Sequence, residues 1–231
     1  MERIDKILSN SGFGTRKEVK KLVKYGMVKV DGVVINSSDV KVDPDNTVIT
    51  VNDKRLNYRE FIYLMLNKPD GYVSATEDNV YPVVTELIPC EYAHFGAFPA
   101  GRLDVDTEGL LILTNDGKFA HNITSPKRHV QKKYFVIPAR PVTQQDIKEF
   151  ASGMDLGDFT AMPSVLEVNG DGCVVTIYEG KFHQVKRMFE KTGNKVMFLK
   201  RIQIGGLKLD ENLNPGEIRE LTKGEIDSIW I

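Results

Sequence analysis

One short segment concentrates the groups able to do chemistry. Gly101-Arg102-Leu103-Asp104-Val105-Asp106-Thr107-Glu108-Gly109 holds one arginine and three carboxylates, and it runs directly into Leu110-Leu111-Ile112-Leu113. A globular chain has no structural need for so much charge beside a strand that reads as fully buried. Carboxylates at the edge of an apolar floor suit a reaction on a flat organic ring. Asp106 and Glu108 have the simpler reading of turn and capping groups, because aspartate favours turns. Two further segments mix basic and aromatic residues: Lys127-Arg128-His129 followed by Lys132-Lys133-Tyr134, and Lys181-Phe182-His183-Gln184-Val185-Lys186-Arg187. His94, His121, His129 and His183 lack metal-ligand spacing, and Cys90 and Cys173 lie outside any CxxC pattern. No metal site and no disulfide framework are expected.

The elements that must position these groups fall into two sets. Thr15-Arg16-Lys17-Glu18 has capping-box spacing and predicts a helix ending near Gly26. Val19, Leu22 and Val23 form its apolar stripe, on which an earlier helix carrying Ile4, Ile7 and Leu8 would pack. Arg16, Lys17, Lys20, Lys21 and Lys24 fill a separate arc; on an arbitrary helix such a face is usually just solvated. Met27–Val30, Asp31-Gly32 and Val33–Ile35 predict a hairpin with a two-residue turn, and Val48–Val51 another strand. Asn52 to Glu60 is polar and reads as a linker. Beyond it, Phe61–Leu66 predicts a buried strand closed by the Pro69–Gly71 turn, with further strands at 110–113, 134–137, 165–168 and 174–178. Helical patterns fall near 143–152 and 184–192, while Phe182, Met188, Phe189 and Met197 read as core. Strands and helices mix without regular alternation. The expected class is therefore α+β, a mixed and largely antiparallel sheet flanked by helices, with domains at 1–58 and 59–231.

The totals bound the function. The chain has 231 residues, 41% hydrophobic, and no stretch nears the ~20 apolar residues that span a bilayer. Its start, MERIDKILSN, is not a signal peptide, so a cytoplasmic location without membrane contact is expected. Net charge is −1, which alone disfavours a nucleic-acid partner. Distribution matters more, because a phosphate chain responds to the local field. Residues 1–30 carry eight basic and three acidic side chains, so the N-terminal end is the basic end.

Two helices followed by a Gly-x-Val-x-Val-Asp-Gly hairpin over residues 2–52 resemble the S4 RNA-binding domain, in which such a basic helix lies along RNA phosphates. Behind it, Leu66-Asn67-Lys68-Pro69-Asp70-Gly71-Tyr72, Gly101–Leu111, Lys132–Val136 and Glu179–Met188 together resemble the pseudouridine synthases, in the branch acting on small-subunit (16S) ribosomal RNA. Arg201–Leu207 through Pro215-Gly216-Glu217 continue the likeness. The resemblance implies that Asp104 is the catalytic aspartate, that Tyr134 stacks on the target uracil, and that Lys186 pairs with the aspartate, Arg187 being the alternative. Arg102 would contact phosphate or fill the gap left by the flipped base. Lys127, Arg128, Lys132, Lys133, Lys181 and Arg187, with Arg16, Lys17, Lys20, Lys21 and Lys24, would line the RNA path. His183 would hold RNA or a neighbour.

The chemistry fits these residue types. Isomerising uridine breaks one glycosidic bond and makes another, so no ATP, redox cofactor or metal is demanded. A carboxylate must attack the ring or sugar, or take a sugar proton, and in a dry pocket it stays ionised beside a cation. The base cannot react inside a helix and must turn outward. Ribosomal RNA within a small-subunit assembly intermediate is the expected partner, and the expected working form is a monomer. Large-subunit (23S) relatives share the same motifs. A non-catalytic S4-type RNA-binding factor would leave Asp104, Tyr134 and Lys186 free to vary. A glycoside hydrolase would explain paired carboxylates but leaves the basic helix without a purpose, and one turn cannot readily set two carboxylates on opposite sides of a sugar.

Overall fold

A computed structural model describes residues 1–44 and 46–231; Asp45, within the S4-like stretch, lies outside the described residues. Contacts divide the chain into two units, one of Met1–Ile62 with Cys90–Gly96, the other of Tyr63–Pro89 with Ala97–Ile231.

In the first unit, β1 (Glu2–Arg3) leads into α1 (Ile4–Asn10), and α2 (Arg16–Lys24) follows. Thr15 accepts from the Glu18 amide while the Glu18 side chain accepts from the Thr15 amide, closing the expected capping box. Ile4, Ile7 and Leu8 of α1 and Val19 and Val23 of α2 share one core with Val28, Val42, Ile49 and Val51. The strands are β2 (Val28–Val30), β3 (Val33–Val34), β4 (Lys41–Val42), β5 (Ile49–Val51) and β6 (Lys54–Arg55). β4 pairs with β1, and the others form a sheet in the order β3-β2-β5-β6. Asp31 and Gly32 take φ of 49° and 81°, as a two-residue hairpin turn between right-twisted strands requires. The stretch read as a linker is instead structured. It supplies β6, packs Leu56 and Tyr58 on the core, and donates the Tyr58 hydroxyl to Glu2 at 2.9 Å. Its polar composition reflects an edge strand, whose outward side chains face water. A short helix, α3 (Cys90–Ala93), also belongs to this unit.

The second unit is built on a nine-stranded mixed sheet. Its strands are β7 (Tyr63–Lys68), β8 (Phe98–Pro99), β9 (Glu108–Thr114), β10 (Lys132–Pro138), β13 (Val165–Asn169), β14 (Gly172–Ile177), β15 (Val196–Ile204), β16 (Leu207–Lys208) and β17 (Ile218–Glu220). The hairpin β11 (Met154–Asp155) and β12 (Thr160–Ala161) stands apart from it. The order is β13-β14-β10-β15-β9-β7-β17, with β16 beside β15 and β8 beside β9. Every pairing is antiparallel except β9 with β15. At that parallel seam Gly109 has φ of 99°, and a Cβ there would stand 2.3 Å from the Arg201 carbonyl oxygen, so no side chain fits. Arg201 is buried and donates its Nε to the Leu110 carbonyl at 2.7 Å.

Four helices flank the sheet: α4 (Gly117–Thr124), α5 (Gln144–Ser152), α6 (Gln184–Lys191) and α7 (Lys223–Ser228). From α4, Phe119, Ala120 and Ile123 pack with Met65, Leu110 and Ile112. Phe150 of α5 meets Phe189 of α6 edge-on at 5.1 Å, and Met188 and Phe189 are wholly buried as expected. Phe182 and Met197 are not core: they are 69% and 63% exposed. Phe182 precedes the first turn of α6, and Met197 faces outward near the start of β15, so neither meets the layer its neighbours fill.

Candidate active site

The charged segment spans the loop between β8 and β9 and the first residues of β9, and it is tied down from beneath. Lys68, the last residue of β7, is completely buried and donates its amine to the carbonyls of Pro69, Val105 and Thr107 at 3.0, 3.0 and 2.9 Å. Burial pulls its pKa down to about 8, opposed by the surrounding charges of Asp70, Asp106, Glu108 and Asp104. The Ser74 hydroxyl accepts from the Leu103 amide at 3.0 Å and donates to the Leu103 carbonyl at 3.1 Å. Gly71 adds a bond from its amide to the Val105 carbonyl, and Thr107 closes a turn onto the Asp104 carbonyl. A loop held at Leu103, Val105 and Thr107 can present Asp104 with little freedom.

Across from this loop is the N-terminus of α6. Gln184 donates to Glu179 at 2.9 Å and accepts from the Lys181 amide at 3.0 Å, fixing the approach to the helix. Lys186, in its first turn, reaches both aspartates: its Nζ is 3.3 Å from Asp104 Oδ2 and 2.5 Å from Asp106 Oδ1. Burial raises the Asp106 pKa, but the hydrogen bond and charge of Lys186 outweigh it, so the net shift is downward. Asp106 therefore does more than shape a turn, because it is the nearer partner of the lysine. On the other side His183 places Nε2 3.6 Å from Asp104 Oδ1. The cleft is lined by Arg102, Asp104, Thr107, Tyr134, Lys181 and His183, with Leu103, Ile177, Val185 and Leu199 among its apolar walls. Tyr134 is 7% exposed and comes from the middle of β10.

The structure thus brings together Arg102, Asp104, Tyr134, Lys181 and Lys186. Arg187 goes elsewhere: it pairs with Asp158, donates to the Leu156 carbonyl at 2.7 Å, and lies 4.9 Å over the Phe159 ring. Lys132 does not line an RNA path. It is buried, donates to the carbonyls of Ile123 and Val130, and has a pKa drawn down to about 8 chiefly by burial. Period-two alternation explains this, because Lys132 shares the inward face of β10 with Tyr134. Lys133 points the other way, into a broad groove with Phe135, Lys200 and Lys208. Lys127 and Arg128 are exposed on a 3-10 turn, outside the cleft lining. In the first unit, Arg16, Lys17, Lys20, Lys21 and Lys24 are all exposed, and none forms a salt bridge among the described residues. Among those residues, too, no group of three His, Cys, Asp or Glu is placed to hold a metal ion.

Sequence reasoning gave Lys68 no role and Asp106 only a turn. A lysine closing the otherwise apolar run Tyr63–Leu66 was the available signal, since a charge is costly to bury without partners.

Both parts of the chain are similar to known proteins. Residues 62–191 match the family model for RNA pseudouridylate synthase, and residues 2–48 match the S4 domain. An uncharacterised RNA pseudouridine synthase, YtzG, of Bacillus subtilis (strain 168) is 48% identical over 97% of this chain and 96% of its own length. The ribosomal small subunit pseudouridine synthase A of Vibrio vulnificus (strain CMCP6) is 41% identical over 99% of each chain. A crystal structure of a pseudouridylate synthase, 39% identical, superposes with a TM-score of 0.70 over 99% of this chain and 100% of that one.

Proposed function

The chain belongs to the RNA pseudouridylate synthase family, enzymes that are isomerases, and from that premise we propose that it converts one uridine of small-subunit ribosomal RNA to pseudouridine, with Asp104 as the catalytic carboxylate. We assign RNA gripping to residues 1–58 and the isomerisation to residues 59–231.

The observation that carries the assignment is the contact of Lys186 with Asp104 at 3.3 Å in a cleft that Tyr134 also lines. An ion pair beside a carboxylate fixes where its oxygens point. Lys186 supplies that partner, and Asp106 shares it. The target nucleotide leaves its helix and enters the cleft, where the Tyr134 ring packs on the uracil face. Asp104 then acts on the ring or the sugar, the C1′–N1 bond breaks, the uracil turns, and C5 bonds to C1′, the C5 proton leaving to solvent while N1 takes one up. Arg102 stands at the same cleft, exposed, where a phosphate of the flipped nucleotide can meet it. Lys181 provides a second such contact.

Small-subunit RNA is supported by the relatives bearing that name, which align over nearly their whole length at 39–42% identity. The test is to map pseudouridine in ribosomal RNA from a strain lacking the gene. One pseudouridine should vanish from the small-subunit RNA and return on complementation. Loss of a large-subunit site instead would move the substrate to the other RNA.

A further inference from the structure

Phe182 stands between Lys181 and His183, two residues that line the Asp104 cleft, and it is 69% exposed. A lone exposed apolar side chain needs no explanation. This one is organised. Its ring stacks on His183 with centroids 3.8 Å apart and planes inclined by 17°. His183 in turn has Nε2 3.6 Å from Asp104 Oδ1, and its backbone sits in the left-handed region with φ of 50°. That conformation is uncommon for a residue with a β-carbon, and such strain gathers where function requires a fixed placement. The hydrogen bonds of Gln184 to Glu179 and to the Lys181 amide hold the segment there.

Resting on the proposed reaction, we propose that Phe182 is a stacking platform for the nucleobase next to the target uridine in the RNA strand. Base, Phe182 and His183 then form one pile whose inner end touches Asp104. When the target base turns out of its strand, its neighbour loses a stacking partner on one face. That neighbour is a single phosphodiester away from the cleft. A free aromatic face one ring's thickness beyond His183 lies where the exposed base face needs cover. One side of the Phe182 ring is taken by His183, and no ring occupies the other among the described residues. The surroundings suit nucleic acid over an apolar protein partner: Lys181 is adjacent and exposed, Arg102 lines the same cleft, and the apolar area is one ring wide. Phe182 is thus a positioning residue that selects which nucleotide is presented to Asp104.

The test uses the full chain and an RNA fragment containing the mapped uridine, either intact or abasic at the nucleotide on one side and then the other. With intact RNA, Phe182→Ala and Phe182→Leu should raise KM about 5- to 100-fold while kcat changes little, and Phe182→Trp should restore KM. The abasic substitution on one side should raise the wild-type KM similarly and add nothing further to Phe182→Ala. An unchanged KM in Phe182→Ala, or abasic penalties on both sides that multiply fully with it, would overturn the platform. Failure of Phe182→Trp to rescue would overturn it as well, pointing to a structural role. Wild-type protein that does not convert intact RNA at all would sink the reaction itself, a result distinct from any of these.

Discussion

Lys186 sets the charge balance of the cleft, because it is shared between Asp104 and Asp106 and is only 18% exposed. Removing it takes away the cation that both carboxylates contact. Lys186→Met should lower turnover by about 100-fold or more, the scale on which a preorganised charged group acts, whereas Lys186→Arg should keep part of the activity. Single-turnover assays on saturating RNA check this, with Arg187→Met as the control expected to stay active because its guanidinium engages Asp158. Lys68 makes a different prediction, about pH. Its folded pKa is about 8 against an ordinary 10.5, so between those values the unfolded chain binds more protons than the folded one. The contribution of Lys68 to stability should therefore rise with pH across that window. Urea unfolding of wild type and Lys68→Met should show the stability difference growing in favour of wild type by on the order of 2 kcal/mol from pH 8 to pH 10.5. A constant difference would mean that the amine stays charged on its three carbonyls. The candidacy of Asp104 was readable because several motifs occur together in order. The role of Lys68 was not, because nothing in a sequence says which carbonyls a lysine will meet.

Local elements were legible where one short signal sufficed. The Thr15–Glu18 capping box and the Asp31-Gly32 turn both form as the residue types require. Elements that depend on partners far along the chain were less so. β9 and β15 lie about 90 residues apart in sequence, and their parallel pairing carries no periodic mark beyond a glycine at the seam. Gly109→Ala places a Cβ 2.3 Å from the Arg201 carbonyl oxygen at φ of 99°, and should cost about 2–4 kcal/mol in chemical denaturation. Polar composition likewise disguised β6 as a linker, because an edge strand and a loop look alike when neither buries a face. The helix α2 tests whether its basic arc is used. Each Lys or Arg engaging a phosphate releases counterions, so Lys17→Ala/Lys20→Ala/Lys24→Ala should flatten the slope of log affinity against log salt by about two units. Val19 and Val23 hold the opposite face in the core, so the variant should fold. An unchanged slope would make that face solvated surface.

At the scale of the whole molecule, the chain joins an S4 domain to an isomerase domain of the pseudouridylate synthase family. A formal charge of −1 conceals this organisation, because the basic excess of the first 30 residues is offset by acidic groups elsewhere. Separating grip from chemistry predicts separable defects. Variants of α2 should lose affinity and keep turnover at saturation, while variants of the cleft should bind and fail to convert. The most direct measurement of the central claim is tritium release from RNA carrying C5-labelled uridine, comparing wild type with Asp104→Asn at equal RNA occupancy. The Asn side chain keeps the shape and hydrogen-bonding size of Asp104 while removing its charge. Wild type should release tritium to the extent of one uridine per RNA, and Asp104→Asn should bind the RNA with similar affinity and release none above background. Near-normal release by Asp104→Asn would contradict the assignment of this carboxylate as the group that performs the isomerisation.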